Sequence, residues 1–368
     1  MPTISKFNGV LLTAATKING VLLTSVAKIN GMVVSLATAF EVYKARVLAD
    51  GGVVENESCA TIALDAAGSP TLFLYPSGYK VSVLYSEIPD TSTGDFALAR
   101  ACTASRTNES GYLEFEANNV PRVDFTGGGC GILLSELQRI NYNKYSEDFS
   151  GYPKVNLTIG STTQLDPYNT STATQVLENN GTGLKLVKRN SVVVPSGSQV
   201  THSIFAKPNG RDWFLFYDSF HGGGYYFDVA NGTRGSSFGT VPDGWEIEPA
   251  ANGYYRIGMT TTVSGFYTGY AIYLASGNNS HSYTGDGTKG LDIMGAMVTV
   301  GNKMGSYIKT LNATSTRLID EFTISTGPIT PTVTSITETI GGVAQTPITI
   351  IPATYQISAG KINKVVMN

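Results

Sequence analysis

The first 35 residues contain three copies of one short motif, and this repeat restricts the possible folds more than any other feature of the sequence. Each copy reads Lys, an apolar residue, Asn, Gly, three apolar residues and then Thr or Ser. The copies begin at Lys6, Lys17 and Lys28, so the period is eleven residues. A repeated unit that cannot close its own core must stack on another one. The repeat is therefore typical of assembly proteins and untypical of enzymes.

Two structures fit this repeat. An apolar period of eleven residues fits helices in a right-handed supercoil. Against that structure, every copy contains a Gly, which costs about 1 kcal/mol relative to Ala inside a helix. Asn-Gly between apolar β-forming runs favours a two-residue hairpin turn. We therefore predict strands that turn, and that mediate assembly, at three pairs: Asn8 and Gly9, Asn19 and Gly20, and Asn30 and Gly31.

The rest of the sequence predicts an all-β protein with one short helix, at residues 40–52, that ends at a Gly pair. Alternating apolar segments bounded by turn residues predict strands after it. Between residues 156 and 307 such strands recur at regular spacing, which predicts an antiparallel sandwich of jelly-roll type. The predicted strands are 71–75, 80–85, 96–100, 200–207, 212–217, 225–229, 245–248, 254–262, 269–275 and 291–300.

The C-terminal segment is extended and contains a degenerate copy of the repeat. Four prolines after residue 327 exclude a helix there. The chain then reaches Lys361, Ile362 and Asn363, and we predict that this last strand returns to the N-terminal repeats and closes an open sheet edge. The predicted domains are the repeats (1–38), a small mostly β domain with a linker (39–149), the sandwich (150–310) and the extended β tail (311–368).

Composition excludes several classes of protein. With 25 Lys and Arg against 28 Asp and Glu, the chain has no basic stripe for a nucleic-acid backbone. The cysteines Cys59, Cys102 and Cys130 have no metal-site spacing, so we expect buried thiols and at most one disulfide. No apolar run reaches the length of a membrane span. The N-terminus lacks the charged region, apolar core and small-residue cleavage site that follow one another in a signal peptide. We therefore expect synthesis inside a cell and release by a route such as lysis.

Two ordered sets of motifs carry a family resemblance. The first set reads FALARACTASRTNESGYLE (96–114), NVPRVDF (119–125), GCGILL (129–134), QR (138–139) and YSEDF (145–149). The second reads YYR (254–256), SYTGDGT (282–288), IMGA (293–296), SYI (306–308) and TR (316–317). Together they resemble a family of bacteriophage virion proteins with a sandwich similar to carbohydrate-binding modules. The sequence departs from that family at Leu137, where Pro is common, and at Ile140, where Thr is usual.

The resemblance implies a structural virion component: a head fibre, a capsid decoration protein or a tail fibre. It implies a homotrimer that contacts capsid or tail proteins, is anchored by its terminal repeats and displays a sandwich toward host-surface glycans. It implies no catalytic residues. With the composition, we therefore expect no cofactor, no nucleic-acid partner and no membrane span. The location would be the virion, after synthesis in the infected bacterial cytoplasm. The alternative is a receptor-binding carbohydrate-recognition protein of the phage tail.

The titratable residues do not form a recognisable catalytic motif. His202, His221 and His281 stand apart, and neither a Ser or Cys nucleophile motif nor HExxH occurs. Glu246 and Glu248 fall on one face of a strand, but nothing nearby would raise the pKa of either carboxyl group, so a solvated strand face is favoured. We therefore predict that the protein is not an enzyme.

Two candidate ligand sites remain. Asp286 and Asp292 are weak calcium candidates, since calcium takes about six to eight oxygens, and a plain Gly-Asp-Gly turn is favoured. The aromatic residues between 213 and 245 are the stronger candidate. Successive side chains of a strand point to opposite faces of its sheet, so about half of these residues are expected in the core. The others can form a platform on which sugars stack, although core packing of these rings is the favoured alternative. The predicted glycan-binding residues are Trp213, Tyr217, Tyr225, Tyr226 and Trp245, with Tyr225 and Tyr226 expected in an exposed loop.

Overall fold

The computed structural model describes residues 6–7, 10–11, 26–29, 32–35, 39–67, 70–89, 91–329 and 333–368. Strands dominate these residues, so the predicted all-β class is confirmed. Helical structure in the described residues is limited to α1 (Ala39–Ala49), α2 (Glu57–Asp65) and two single 3-10 turns, Ser92–Gly94 and Ala251–Gly253. In the same part of the chain, no helix is long and apolar enough to cross a membrane.

The strands are numbered in chain order. They are β1 Lys6–Phe7, β2 Val10–Leu11, β3 Val26–Ile29, β4 Met32–Ser35, β5 Val53–Val54, β6 Leu72–Leu74, β7 Gly78–Lys80, β8 Val83–Tyr85, β9 Phe96–Ala99, β10 Ala104–Thr107, β11 Leu113–Glu116, β12 Val123–Asp124, β13 Ile132–Ser135, β14 Arg139–Asn141, β15 Lys154–Val155, β16 Leu157–Ser161, β17 Thr174–Glu178, β18 Thr182–Leu184, β19 Leu186–Val193, β20 Gln199–Asn209, β21 Trp213–Asp218, β22 Gly223–Asp228, β23 Thr233–Gly239, β24 Gly244–Pro249, β25 Tyr255–Thr262, β26 Tyr267–Ala275, β27 Ser282–Thr284, β28 Gly290–Val300, β29 Ser315–Arg317, β30 Glu321–Ser325, β31 Ile336–Ile340, β32 Val343–Ala344, β33 Thr354–Gln356 and β34 Gly360–Met367.

The first and third copies of the repeat are hairpins. Strand β1 pairs with β2, and β3 pairs with β4, both in antiparallel register. Phe7 faces Val10 and Ile29 faces Met32, so two residues separate the innermost partners in each hairpin. The strand interpretation is therefore confirmed for these two copies, and the helical alternative is wrong there. Residues 8–9, 30–31 and the second copy, including Asn19 and Gly20, lie outside the described residues.

The predicted helix is present as α1 and ends where its Gly pair begins. The N–H of Gly51 donates to the carbonyl of Leu48, and the N–H of Gly52 donates to that of Val47. Gly51 has a φ of 77°, the left-handed conformation that this type of helix C-terminus requires. The sequence predicted the end of this helix correctly because the signal for it, the Gly pair, lies directly at the helix C-terminus.

The chain divides into two compact units. The first comprises Met1–Cys102, Glu116–Leu137 and Ile319–Asn368, and the second comprises Thr103–Phe115 and Gln138–Leu318. In the first unit, one six-stranded sheet has the order β33-β30-β9-β8-β7-β5. The other has the order β12-β13-β34-β31-β32, with β6 paired to β34. Both sheets contribute to one core, with buried side chains that include Leu74, Phe96, Leu133, Phe322 and Val365.

Two features of the first unit differ from the sequence-based expectations. The predicted strand at 80–85 is interrupted by a hairpin turn between β7 and β8, where Ser82 has a φ of 64°. The last strand, β34, contains Lys361, Ile362 and Asn363 and pairs with β6, β13 and β31. The expected pairing with the repeats is therefore wrong for the two described copies, β1–β2 and β3–β4. The tail strands β30, β31, β33 and β34 share sheets with strands from residues 53–135.

The second unit is a β-sandwich of two six-stranded antiparallel sheets. Their orders are β15-β19-β26-β21-β22-β23 and β16-β17-β28-β20-β25-β24. One apolar core receives side chains from both sheets, including Phe216, Phe227 and Ile272 from the first and Ile204 and Ile293 from the second. The strands predicted between 200 and 300 all occur, with ends within about two residues of the expected ones. Alternation of apolar and polar residues located them because each strand has one face in this core.

One disulfide joins Cys59 in α2 to Cys130, across 71 residues of sequence. The Cα atoms are 5.8 Å apart, within the ordinary range for a disulfide. Cys102 does not take part in this disulfide. One disulfide is the maximum that three cysteines allow, but the sequence did not indicate which pair forms it.

Candidate ligand-binding surface of the second unit

The five predicted glycan-binding residues do not form one surface. Trp213 and Tyr217 alternate along β21 with Phe214 and Phe216, which lie in the sandwich core. Trp213 and Tyr217 therefore lie on the opposite face of the sheet. There they pack with Tyr226 in a small apolar cluster separate from the core. Three of the five predicted residues are thus brought together, on the outer face of the sheet that contains β21.

Residues 276–281 cover this outer cluster. The ring of His281 lies 5.9 Å from that of Tyr226 and 4.7 Å from that of Phe238, and the Tyr226 hydroxyl is hydrogen-bonded to His281 Nδ1. Asn278 Oδ1 accepts hydrogen bonds from the backbone N–H and the hydroxyl of Ser236, both at 2.9 Å. Burial lowers the pKa of His281 and raises the pKa of Tyr226 to about 12. Tyr226 is fully buried and offers no ring face to a ligand.

Tyr225 and Trp245 lie elsewhere in the sandwich. Tyr225 belongs to β22, faces the core, and donates its hydroxyl hydrogen to the carbonyl of Pro242 at 3.0 Å. The expectation of an exposed Tyr225 and Tyr226 loop pair was therefore wrong: both residues lie within a strand and point to opposite faces of it. Trp245 lies on the edge strand β24 of the other sheet and is 45% exposed.

The structure instead places three exposed rings together at one end of the sandwich. They belong to Phe220, in the turn between β21 and β22, and to Phe266 and Tyr267, where the loop after β25 enters β26. Their exposures are 53%, 64% and 50%. The rings of Phe220 and Tyr267 are stacked, with centroids 6.3 Å apart and an angle of 26° between their planes. We call Phe220, Phe266 and Tyr267 the ring platform.

The ring platform surrounds a pocket of about 120 Å³. The polar residues that line it are Asp218, His221, Thr262 and Ser264. Exposed Val193 extends the apolar area, since it lies opposite Tyr267 in the register between β19 and β26. The combination of near-parallel ring faces and hydroxyl groups around a shallow pocket suits a ligand with both apolar and hydroxyl surfaces.

A buried carboxylate holds the turn that presents Phe220. Asp218 Oδ1 accepts hydrogen bonds from the backbone N–H groups of Phe220, at 2.9 Å, and His221, at 3.2 Å. Its Oδ2 accepts from the hydroxyls of Thr261, at 2.8 Å, and Thr268, at 3.0 Å. Burial opposes ionisation, but these bonds and nearby His202 outweigh it, so the pKa of Asp218 lies below its usual value. Asp218 is therefore a charged anchor of the turn.

The other titratable candidates have structural partners. His202 is buried, with its Nε2 3.0 Å from the Thr268 hydroxyl and 3.3 Å from Asp218 Oδ2. Glu246 accepts the backbone N–H of Met304 at 2.5 Å, and Glu248 lies opposite Arg256 between β24 and β25. These arrangements agree with structural roles for the residues.

The two calcium candidates belong to different hydrogen-bond groups. Asp292 is buried and accepts bonds from the Thr162 hydroxyl at 2.8 Å and from Asn209 at 3.1 Å. Asp286 accepts the backbone N–H and hydroxyl of Thr288 within its own turn. Among the described residues, no group of three or more His, Cys, Asp or Glu side chains is placed to hold a metal ion.

Comparison with known proteins adds a weak likeness in fold. No protein-family model and no curated protein matches the chain. The CBM22-1–GH10 part of xylanase 10B from Clostridium thermocellum, complexed with xylohexaose, matches at 12% identity and a TM-score of 0.27, over 47% of this chain and 30% of that one. A carbohydrate-binding module from Cellvibrio mixtus lichenase 5A, in complex with cellotriose, matches at 13% identity and a TM-score of 0.24, over 45% of this chain and 97% of that one. Such low scores identify neither a site nor a ligand for this chain.

Proposed function

We propose that this chain is a structural protein of a bacteriophage virion whose second unit binds host-surface glycans on the ring platform. The virion role rests on the motifs at 96–149 and 254–317, which resemble those of phage virion proteins. The glycan role rests on one observation: the exposed, stacked rings of Phe220 and Tyr267 at a pocket whose lining also includes polar side chains. Binding is the whole of the proposed activity, and no catalytic step belongs to it.

The chemistry of the ring platform favours sugars over other ligands. A sugar ring presents C–H groups on its faces and hydroxyls at its edges, so its face packs on an aromatic ring while its edges reach polar groups. At the platform, Thr262 and Ser264 provide hydroxyls next to the rings. A net charge of −3 disfavours nucleic acid. Patches of exposed rings also mark binding surfaces in general, because a soluble protein seldom exposes several large apolar side chains together.

We expect Phe220→Ala and Tyr267→Ala each to weaken glycan binding about tenfold, because each removes one stacking ring worth roughly 1.5 kcal/mol. Binding to an array of bacterial surface glycans, followed by titration of the best ligand, measures the effect. Phe238→Ala is the matched control, since it removes an exposed ring on the outer face of the same sheet. Binding that is retained by both platform variants and lost in the control would place the site on the outer cluster instead.

The repeats are the proposed assembly segment. Hairpins β1–β2 and β3–β4 are two-stranded, and an isolated two-stranded hairpin is marginal in water, so it needs a partner surface. We propose that this surface belongs to other copies of the chain, in a homotrimer, and to capsid or tail proteins of the particle. The protein would then reside in the virion after synthesis in the infected bacterial cytoplasm.

Deleting residues 1–38 should leave both units folded and prevent incorporation into phage particles. The described core residues of both units lie after residue 38, which is why folding should persist. Circular dichroism measures folding, and immunoblotting of purified particles measures incorporation. Normal incorporation of the truncated protein would contradict the assembly role. Imaging of labelled particles separates the capsid location from the alternative, a receptor-binding protein of the tail.

A further inference from the structure

Trp245 and Arg234 form a second surface feature of the sandwich, distinct from the ring platform. Arg234 lies on β23, at the edge of one sheet, and Trp245 lies on β24, at the edge of the other. The guanidinium carbon of Arg234 is 5.4 Å from the centroid of the Trp245 ring and 4.9 Å from that of Tyr225. Two aromatic rings from different sheets thus hold one exposed cationic group in place.

Arg234 differs from two other stacked arginines in its lack of a carboxylate partner. Arg46 stacks on Tyr85 and forms an ion pair with Asp95 at 2.9 Å. Arg211 stacks on Tyr283 and binds both carboxylate oxygens of Glu178, at 2.7 and 2.9 Å. Among the described residues, no Asp or Glu lies within ion-pair distance of Arg234.

The acidic groups near Arg234 in the sheets are engaged elsewhere. Asp228, at the end of β22, accepts hydrogen bonds from the backbone of Ala230 and the side chain of Asn231. Glu246 alternates with Trp245 along β24, so its side chain points to the opposite face and binds the backbone of Met304. Arg234 thus keeps its planar hydrogen-bond donors available to a group from outside the chain.

We propose that Arg234, held by Trp245 and Tyr225, binds the carboxylate of an acidic sugar. A guanidinium group presents parallel N–H donors that match the two oxygens of a carboxylate, and a stacked guanidinium loses little further freedom on binding. The 45% exposed Trp245 ring provides an apolar face beside the same group, on which the sugar ring can lie. This inference rests on the proposed function only in taking the ligand to be a glycan, and it adds that the glycan carries uronic or sialic acid.

The test compares acidic oligosaccharides with their neutral counterparts. Uronic- and sialic-acid oligosaccharides and the same compounds with carboxylates reduced to alcohols are titrated against the full-length protein. We expect the wild type to bind the acidic member of a pair about tenfold more tightly, and Arg234→Gln to remove this difference. Arg234→Lys should retain only part of this difference in affinity, because Lys lacks the planar pair of donors. Lys303→Gln is the control for the loss of one positive charge from the second unit, since Lys303 is exposed and lies 3.6 Å from Glu246, on the face of β24 opposite Trp245.

The outcomes separate this inference from the proposed function. A preference for the acidic members that depends on Arg234 supports it, whatever Phe220→Ala and Tyr267→Ala do. Equal binding of acidic and neutral members, or a preference that Arg234→Gln leaves intact, overturns it while the ring platform is judged by its own variants. If Arg234→Gln and Lys303→Gln lost equal affinity for the acidic oligosaccharides, the preference would depend on net charge alone. That result would also overturn the inference. An absence of binding to every compound of this panel also overturns this inference, while the ring platform is judged by the bacterial glycan array.

Discussion

Asp320→Asn is expected to destabilise the first unit by about 3–5 kcal/mol, because it removes the carboxylate that two buried arginines share. Asp320 Oδ1 lies 2.8 Å from Arg100 Nη1, and its Oδ2 lies 2.5 Å from Arg122 Nη2. All three side chains are fully buried. The Asp320 carboxylate also accepts the backbone N–H of Glu136 at 3.0 Å. Its loss leaves two guanidinium charges in the interior, with Glu136 Oε2 still 2.9 Å from Arg122 Nη2.

The two units can be followed separately in this experiment. Both tryptophans, Trp213 and Trp245, lie in the second unit, so their fluorescence reports that unit during urea unfolding. Circular dichroism and calorimetry report the first unit as well. Glu321→Gln is the control, since it removes an exposed carboxylate at the next position in the chain. A loss below about 1 kcal/mol in the first unit, or a loss confined to the fluorescence transition, would contradict the expected role of Asp320.

The second large effect concerns the Cys59–Cys130 disulfide. Its removal should lower the stability of the first unit by about 4 kcal/mol, because the cross-link closes a loop of 71 residues in the unfolded chain. Asn56, which precedes α2, adds non-covalent contacts at the same place by bonding the backbone N–H of Gly131 at 3.0 Å and its carbonyl at 2.9 Å. These contacts should keep the native arrangement once the thiols are reduced, so we expect a less stable unit with the same fold.

Thermal unfolding with and without reductant measures this effect. The Cys59→Ser and Cys130→Ser double variant should reproduce the reduced midpoint and should not respond to reductant. Cys102→Ser is the matched control, because Cys102 is outside the disulfide and its variant should behave like the wild type in both conditions. If reductant shifts the double variant as much as the wild type, the stabilisation does not come from this cross-link.

Sequence signals among neighbouring residues correctly predicted several turns, helix ends and strands. Asn-Gly between apolar runs predicted the hairpins β1–β2 and β3–β4, and the Gly pair after residue 50 predicted the end of α1. Alternation predicted seven strands of the second unit (β20, β21, β22, β24, β25, β26 and β28), since one face of each lies in a shared core. The hairpin at Ser82 was missed because a Ser with positive φ carries no compositional signal as strong as Gly or Asn.

Side-chain location was harder to predict, as Tyr225 and Tyr226 illustrate. Their neighbours Gly222, Gly223 and Gly224 suggested a loop, yet both tyrosines belong to β22 and are buried, one in the core and one under His281. The segment that covers Tyr226 lies 50 residues or more further along the sequence, at 276–281. No local pattern indicates such a contact.

The sequence by itself determined the all-β class, the hairpins β1–β2 and β3–β4, the helix α1 and seven strands of the second unit (β20–β22, β24–β26 and β28). Each depends on residues close together in the chain, through turn geometry or through alternation against a core. Only the tertiary structure decided the partners of β34, the ring platform of Phe220, Phe266 and Tyr267, and the stacking of Arg234 between Tyr225 and Trp245. These features depend on which strand becomes the neighbour of which, and many pairings satisfy the same apolar pattern.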